Sequence, residues 1–295
     1  MSAKYACIAA HQGLFPVQLM CRVLEVSRAG FYRARGRGLS ARAQRDDELL
    51  VQIHAVHHVS RQRYGAPRVH EALRQAGEVV GHNRVARLMR EEQLVGTHLR
   101  RWKRAPVLLT DPAHQPDRNH LARQFAPSRA LNRTWVADIT YLAYPGGRAY
   151  LAVVLDLASR ALIGWQVDSQ MPVALVDSAL TQAIYTRRPP RGTIHHSDRG
   201  LQYTSTEYQH RLTQHGFRQS VSAKGNCYDN AVAESFFATL KRECDLSACR
   251  ALPALRAALF DYLELFYNRE RLHSSLGYCS PLQYEQQLGH FGQAA

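Results

Sequence analysis

The sequence predicts an α/β fold in which a mixed five-stranded sheet is flanked by helices and preceded by an all-α region. Between residues 134 and 221 lie five short segments rich in Val, Ile, Leu, Trp, Tyr and Thr, the residue types that favour strands. The first three follow one another across short turns, and the last two alternate with helices predicted at about 173–186, 205–215 and 230–242. A last amphipathic helix is predicted at about 253–267. That order is typical of an α/β domain with a mixed sheet.

The region before the sheet is predicted to hold several short helices. Apolar side chains recur every three or four positions within 44–58 and 82–94, and Pro67 suits the first turn of a helix between them. Arg84 and Arg87 lie on the last of these helices. Short helices, short turns and outward-facing arginines fit a helix-turn-helix DNA-binding module, although an ordinary solvated face would carry the same residues.

Breaks in composition divide the chain into five segments. A Gly- and Arg-rich stretch at 33–38 and a Pro-rich stretch at 105–130 interrupt the periodic pattern, as linkers do. The expected segments are a short N-terminal helical segment at 1–38, a helical DNA-binding domain at 39–104, a Pro-rich linker at 105–130, an α/β core at 131–250, and a C-terminal helix and tail at 251–295.

Positive charge is concentrated in the first part of the chain. The formal net charge is +14, and residues 1–130 hold 22 basic and 10 acidic side chains, whereas residues 131–295 hold 16 and 14. This asymmetry indicates a part that binds a polyanion, with nucleic acid the natural candidate. Arg101 and Lys103 flank Trp102 and are candidate phosphate contacts beside a stacking ring, although a linker packed on the core would look the same.

The cysteine pattern and the hydropathy exclude two classes of protein. The six cysteines include no C-x-x-C pair and lack the density of a disulfide scaffold, so we expect free thiols in a reducing compartment. No apolar run approaches the ~20 residues that a membrane helix needs, and the N-terminus does not resemble a signal peptide. The expected protein is soluble, lies in the cytoplasm and has no membrane partner.

Three carboxylates are the candidate catalytic groups. Asp138 lies within the first predicted strand, Asp198 follows the fourth, and Glu234 lies on a helix predicted over 230–242, where Lys241 returns to the same face. A carboxylate inside a core strand is costly unless a cation receives it, and Mg²⁺ prefers such oxygen ligands. Two Mg²⁺ ions would suit phosphodiester chemistry, with Lys241 meeting the DNA backbone. The spacing alone also fits surface acids and helix caps.

The sequence around each acid resembles a known family. The stretches TWVADITYL, HHSDRGLQYTS and SAKGNCYDNAVAESFFATLK are similar to the three catalytic blocks of the DDE integrase core in IS-three-type insertion-sequence transposases. YNRERLHSSLGYCSPLQYE resembles the tail that follows this core, and RYGAPRVHEALRQAGEVVGHNRVARLMREEQLVG resembles the N-terminal DNA-binding segment. The resemblance covers residues 15–286, and the 35 residues between Asp198 and Glu234 match the spacing for which the group is named.

This resemblance implies an RNase H-like integrase core at 131–250, with Asp138, Asp198 and Glu234 as catalytic residues and metal ligands. Lys241 would occupy the basic position seven residues after the glutamate. The implied enzyme is a transposase that cuts the 3′ ends of its element and transfers them to target DNA. It would use two Mg²⁺ ions per active site, with Mn²⁺ as a substitute.

The same resemblance implies the partners and the location. The partners would be double-stranded DNA of the element ends and the target, and a second copy of the chain, since two ends must be held together. Such elements usually encode this product as a second reading frame, so we expect that product alone and count the upstream-frame product as a further candidate partner. The expected location is the bacterial cytoplasm, at the nucleoid.

Two alternative functions stay open on the sequence. A nuclease with the same core would cleave DNA without joining it, and a non-catalytic relic would bind DNA only. Among the neighbouring residues, Asp156 and Asp168 are expected to cap turns near strand ends. His195 and His196 are expected to satisfy local hydrogen bonds rather than to bind metal.

The charge asymmetry predicts that residues 1–130 bind duplex DNA with a steep salt dependence, because each neutralised phosphate releases counterions and contributes a slope of about 0.9 in log K against log salt. Fluorescence anisotropy of a labelled duplex with fragments 1–130 and 131–295, at several salt concentrations, measures this. Association of 1–130 that does not weaken as salt rises would contradict the assignment.

Overall fold

The computed structural model describes residues 3–36, 40–97, 120, 130–222 and 230–292, and it contains the predicted sheet. The strands are β1 (Thr134–Tyr144), β2 (Gly147–Asp156), β3 (Leu162–Asp168), β4 (Ile194–Ser197) and β5 (Arg218–Val221). They are hydrogen-bonded in the order β3-β2-β1-β4-β5. The first three strands form an antiparallel meander, whereas β4 runs parallel to β1 and β5 parallel to β4, so the sheet is mixed as predicted.

Helices occupy both the region before the sheet and the region after it. They are α1 (Ala3–His11), α2 (Val17–Val23), α3 (Arg28–Gly36), α4 (Ala41–Val59), α5 (Ala66–Gln75), α6 (His82–Glu91), α7 (Val173–Arg187), α8 (Leu201–Thr204), α9 (Thr206–Gln214), α10 (Ala231–Glu243), α11 (Leu252–Phe260) and α12 (Pro281–Gly292). A π-helical turn, Asp261–Tyr267, continues α11. None of the described helices is long and apolar enough to cross a membrane.

Four features differ from the sequence-based expectation. The stretch 33–38, where a linker is expected, continues helix α3 as far as Gly36. The helix predicted over 205–215 is preceded by the separate short helix α8, because Ser205 adopts an extended backbone and caps α9 by accepting a hydrogen bond from the Tyr208 N–H. The helix predicted over 253–267 changes from α to π after Phe260. Helices α1 and α12 were not expected, since neither carries a regular apolar stripe in the sequence.

The sheet separates two hydrophobic clusters because successive strand residues point to opposite faces. Val136 and Leu142 of β1 point to the cluster that contains α10 and α11. Trp135 and Ala137 point to the cluster that contains α7, α8 and α9. Gly164 of β3 lets α7 pack closely, since a Cβ there would lie 2.1 Å from the Ala179 carbonyl oxygen. Both faces of the central strand are therefore covered.

The helices α4, α5 and α6 dock against the C-terminal part of the chain. Their buried residues belong to the same hydrophobic cluster as α10 and α11. The Tyr64 hydroxyl donates to the Glu270 carbonyl at 3.1 Å and accepts from the Leu272 N–H at 2.8 Å. Arg61 forms an ion pair with Asp261. Helices α1–α3 instead pack around a small cluster of their own, formed by Ile8, Cys21 and Phe31.

A buried ion pair lies at this junction. Arg271 donates to both carboxylate oxygens of Glu243, at 2.7 and 2.8 Å, and the Tyr262 hydroxyl donates to one of them at 3.0 Å. Burial alone would raise the pKa of Glu243, but the hydrogen bonds and charge of Arg271 outweigh it and lower that pKa. The Arg63 side chain also donates to the Glu243 backbone carbonyl at 2.8 Å. The end of α10 is thus held from two sides.

Replacing Arg271 with Met should destabilise the protein by about 3–5 kcal/mol, because the Glu243 carboxylate is left buried without its cation. Urea unfolding followed by circular dichroism measures the change. The double variant Glu243→Gln/Arg271→Met removes both charges and should lose much less stability than the single variant. A double variant as unstable as Arg271→Met would show that packing, not charge, sets the cost.

Candidate active site

The site forms where two parallel strands separate. β1 and β4 are paired from Thr134 opposite Ile194 to Val136 opposite His196, after which β4 ends while β1 continues. Parallel partners keep a constant offset along the two strands. Because Val136 lies opposite His196, the residues two positions further along each chain, Asp138 and Asp198, lie level with each other. Neighbouring strands lie about 4.8 Å apart, so the two carboxylates meet at this fork.

Asp138 is the common neighbour of the charged groups at the fork. Burial and the negative charge of Asp198 raise the pKa of Asp138 to about 7, and the charge of Glu234 acts in the same direction. The Ile139 N–H, which donates to the Asp138 carboxylate at 2.8 Å, and the charge of Lys241 oppose the rise. Asp198, Glu234 and Lys241 therefore all lie close enough to Asp138 for their charges to act on its carboxylate.

Helix α10 carries two of these residues on one face. Glu234 lies in the first turn and is largely exposed, and Lys241 follows two turns later. Partial desolvation of the Glu234 carboxylate raises its pKa. Burial lowers the pKa of Lys241, and the charge of Asp138 opposes that change. Asp229 and Asn230 are residue types that suit the N-cap of this helix, but the side chain of Asn230, which occupies that position, makes no capping hydrogen bond. Asp229 lies outside the described residues.

The donor set fits a hard divalent cation. Asp138, Asp198 and Glu234 offer only carboxylate oxygens, the ligands that Mg²⁺ prefers. The like charges that raise the pKa of Asp138 are those that a bound cation would neutralise. Within the described parts of the chain, no three His, Cys, Asp or Glu side chains already lie close enough together to hold one metal ion. The acids surround the fork without converging on a single point.

The two histidines before Asp198 are structural, as expected. The His196 ring nitrogens lie 2.9 and 3.1 Å from the Ser220 and Ser222 hydroxyls, which ties β4 to the end of β5. His195 Nε2 lies 3.0 Å from the Tyr208 hydroxyl on the opposite face. Burial, followed by the charge of His196, lowers the pKa of His195 to about 3, so the ring is neutral.

Asp156 and Asp168, the other acids near strand ends, hold turns, which confirms the expectation. Asp156 is fully buried and accepts hydrogen bonds from the Asn132 and Ala158 N–H groups, at 2.7 and 2.8 Å. Asp168 accepts one from the Gln170 N–H at 3.2 Å. Both are occupied with the backbone and lie away from the fork.

The predicted DNA contacts of the helical region lie apart from the fork. Arg84 and Arg87 both donate to Asp46 of α4, at 2.6 and 2.7 Å, and Arg87 also pairs with Glu91 at 2.8 Å. They remain partly exposed at the surface that α4 and α6 share. Arg101 and Lys103 lie outside the described residues.

One residue at the site, Tyr141, is not among the candidates from the sequence. Tyr141 of β1 is 57% exposed, although aromatic residues in a core strand are usually buried. The Lys241 ammonium lies 4.6 Å from the centre of its ring, and the Arg148 guanidinium lies 5.5 Å away. Both distances are typical of cation–π contacts. The alternating pattern of β1 could have placed Tyr141 on a surface, but not beside two cations.

Comparison with known protein families identifies the same two modules. Integrase core domain models match residues 128–227 and 215–281, and an HTH-like domain model matches residues 44–102. The HTLV-2 integrase catalytic core domain in complex with magnesium is a structural neighbour with a TM-score of 0.41 and 21% identity, covering 52% of this chain and 97% of that one. The family models, an integrase core domain and an HTH-like domain, define the class as an integrase-type DNA recombination enzyme that carries an HTH-like domain.

Whole-chain relatives identify the family. Transposase InsF for insertion sequence IS3A of Escherichia coli strain K12 is 42% identical over 287 residues, which is 96% of this chain and 98% of the relative. The 31 kDa protein of insertion element IS600 from Shigella sonnei is 39% identical over 273 residues, or 90% and 97% of the two chains. The chain belongs to the IS3 family of insertion-sequence transposases, which are polynucleotidyl transferases.

The neutral state of buried His195 predicts an acid-sensitive contribution to stability. An unfolded histidine titrates near pH ~6.5, so between about pH 3 and 6.5 the unfolded state binds more protons and stability falls as the pH falls. In His195→Leu the unfolding free energy should therefore decrease less between about pH 7.5 and 5 than in the wild type. The exposed His58→Leu is the control, and equal pH dependence in all three proteins would contradict the prediction.

Proposed function

We propose that the chain cuts the 3′ ends of its insertion sequence and transfers them to target DNA at the fork between β1 and β4. The observation that carries this proposal is the register of those strands, which sets Asp198 level with Asp138, with the charge of Glu234 also acting on Asp138. Three acids around one opening at the edge of a sheet suit metal-dependent phosphodiester chemistry.

In this proposal Asp138, Asp198 and Glu234 hold the metal, two Mg²⁺ ions with Mn²⁺ as a substitute. When bound, the ions activate a hydroxyl nucleophile and stabilise the leaving oxygen. Asp138 supplies the fixed point, because its strand is hydrogen-bonded to β2 along its whole length. Glu234 lies on a helix and is exposed, so it can move toward the other two acids without disturbing the core.

Lys241 is proposed to hold a DNA phosphate near the scissile bond. The ammonium lies on the face of α10 that carries Glu234, and its contact with the Tyr141 ring restricts its position. A cation held by a ring loses less conformational entropy when it meets a phosphate than a free lysine does. The Arg148 guanidinium, which also lies against the Tyr141 ring, adds a second positive charge there.

The helical domain is proposed to bind duplex DNA of the element ends through Arg84, Arg87, Arg101 and Lys103. The first two are oriented by Asp46, which lies between them and fixes both guanidinium groups. We further propose the boundaries 39–104 for this domain and 131–250 for the core, and at least a dimer on DNA. The proposed location is the bacterial cytoplasm at the nucleoid, with the upstream-frame product as a candidate partner.

Asp138→Asn and Glu234→Gln should each abolish cleavage and joining while leaving DNA affinity close to that of the wild type, because each removes a metal ligand and no DNA contact. Labelled DNA with the native element ends, incubated with Mg²⁺ or EDTA and separated on a denaturing gel, reports both products. Asp168→Asn is the matched control, since it removes an acid that only holds a turn.

Each other outcome of this assay has a distinct meaning. Nicking without joined products would favour a nuclease with the same core. Binding without any product from the wild type would favour a relic that only holds DNA, once the upstream-frame product has also been added. Full activity of Asp138→Asn would overturn the assignment of the site.

A further inference from the structure

A cavity of about 330 Å³ opens beside α10, on a face next to the one that carries Glu234 and Lys241. Helix α10 contributes Ser235 and Thr239 to its wall. The helical domain contributes Arg68, the loop after β2 contributes Arg160, and the C-terminal tail contributes Arg271 and Ser275. We call this space the arginine cavity. Four distant parts of the sequence build it, and nothing in the proposed chemistry uses it.

Three arginines line the arginine cavity, and two of them lie near acids. Arg271 is paired with Glu243, and the charge of Asp156 acts on Arg160. Arg68 donates through Nε to the Leu272 carbonyl at 2.9 Å, and no carboxylate pairs with it among the described residues. No Asp or Glu is among the described residues that line the cavity.

His273, which also lines the cavity, is affected by the same positive charges. Burial lowers its pKa well below the usual value, and the charges of Arg271, Arg68 and Arg160 each lower it further. All three guanidinium groups therefore act on one point at the cavity wall. A positive potential of this kind in a partly enclosed space attracts an anion.

The lining selects phosphate among the common anions. Guanidinium groups bind phosphate oxygens with paired N–H donors, and the hydroxyl groups of Ser235, Thr239 and Ser275 offer further donors. The volume lies at the small end of the range for ligand pockets, roughly 300–1,000 Å³, and exceeds what a single phosphate group needs. A phosphate attached to a chain, with its sugar at the mouth of the cavity, fills such a space better than a free ion.

We propose that the arginine cavity binds a phosphate of the DNA backbone, on a strand that crosses α10 from the carboxylate site. The proposal rests on the proposed function, because it takes DNA as the substrate. Ser235 follows Glu234 directly, so one helix faces both the acids and the cavity. Since Arg68 belongs to the helical domain, a phosphate bound there would also hold that domain against the core.

Two variants of the full chain test this inference. Arg68→Ala removes the guanidinium that has no carboxylate partner in the described structure, and Ser275→Glu places a carboxylate at the exposed rim without removing any structural contact. The matched controls are Arg256→Ala, which removes an exposed arginine that also donates to one backbone carbonyl, and Ser247→Glu, at an exposed serine elsewhere. Thermal melting of all four shows whether each is folded.

The measurement is the affinity for fluorescein-labelled duplex DNA with the element ends, as a function of salt, by anisotropy. Arg68→Ala and Ser275→Glu should each weaken binding about tenfold, and Arg68→Ala should lower the salt slope by about one phosphate contact. The two controls should bind nearly as the wild type does. A second arm titrates inorganic phosphate and follows the melting temperature, to distinguish a free anion from DNA.

Unchanged DNA affinity in folded Arg68→Ala and Ser275→Glu overturns the inference, and a phosphate-dependent rise in melting temperature would not rescue it. Equal losses in the cavity variants and the controls would also overturn it, since they would show a general charge effect. The assay reads binding alone. The cavity variants can therefore bind DNA unchanged while the wild type still cleaves it, which would overturn this inference alone. Their effect on DNA binding can also be measured in Asp138→Asn, in which cleavage is abolished.

Discussion

The arrangement of the site depends on one constraint, the length over which β1 and β4 are paired. The two strands share a parallel register for three residues and then separate, because β4 ends at Ser197 while β1 continues to Tyr144. The separation leaves Asp138 partly buried on a rigid strand and Asp198 exposed at a strand exit, so one acid is fixed and its neighbour is reachable.

The far end of α10 is held by a different kind of interaction. Glu243 receives Arg271 and Tyr262 through its side chain and Arg63 through its backbone. A buried ion pair adds little net stability when compared with apolar residues of the same size, but breaking it is costly, so it specifies one arrangement. Here that arrangement fixes the helix that carries Glu234 and Lys241. The helical domain, the core and the tail are joined at the same place.

The sequence predicted the parts of this fold that follow from local periodicity. The five strands, the two-sided core and the helix that bears Glu234 are visible as runs of β-forming residues and as helical spacing. The three acids could be named because each stands in a recognisable stretch. Arg84 and Arg87, which the sequence predicts to face outward, are partly exposed, yet their shared partner Asp46, 38 and 41 residues away, leaves no local pattern.

What the sequence could not supply is pairing between distant segments. Tyr141 lies between two cations only because α10 passes the open edge of β1, and the arginine cavity exists only because α5 docks on the tail. The change from α to π geometry after Phe260 likewise leaves no signal in the residue pattern. Each of these features needs the tertiary structure, because the residues concerned are otherwise ordinary in their own segments.

The distribution of charge suggests how the two parts of the chain divide their work. Residues 131–295 carry 16 basic and 14 acidic side chains, so the core offers little general attraction for a polyanion. The cations near α10 are instead few and lie at particular points: Lys241 lies over Tyr141 on one face of the helix, and Arg160 and Arg271, joined by Arg68 of the helical domain, lie beside the next face. A few oriented cations would add little to overall affinity but would fix where a strand lies. Residues 1–130, with their larger positive charge, can supply the affinity. A strand brought in by that field would then be positioned by α10, because the helix faces the acids and the arginine cavity on adjoining sides.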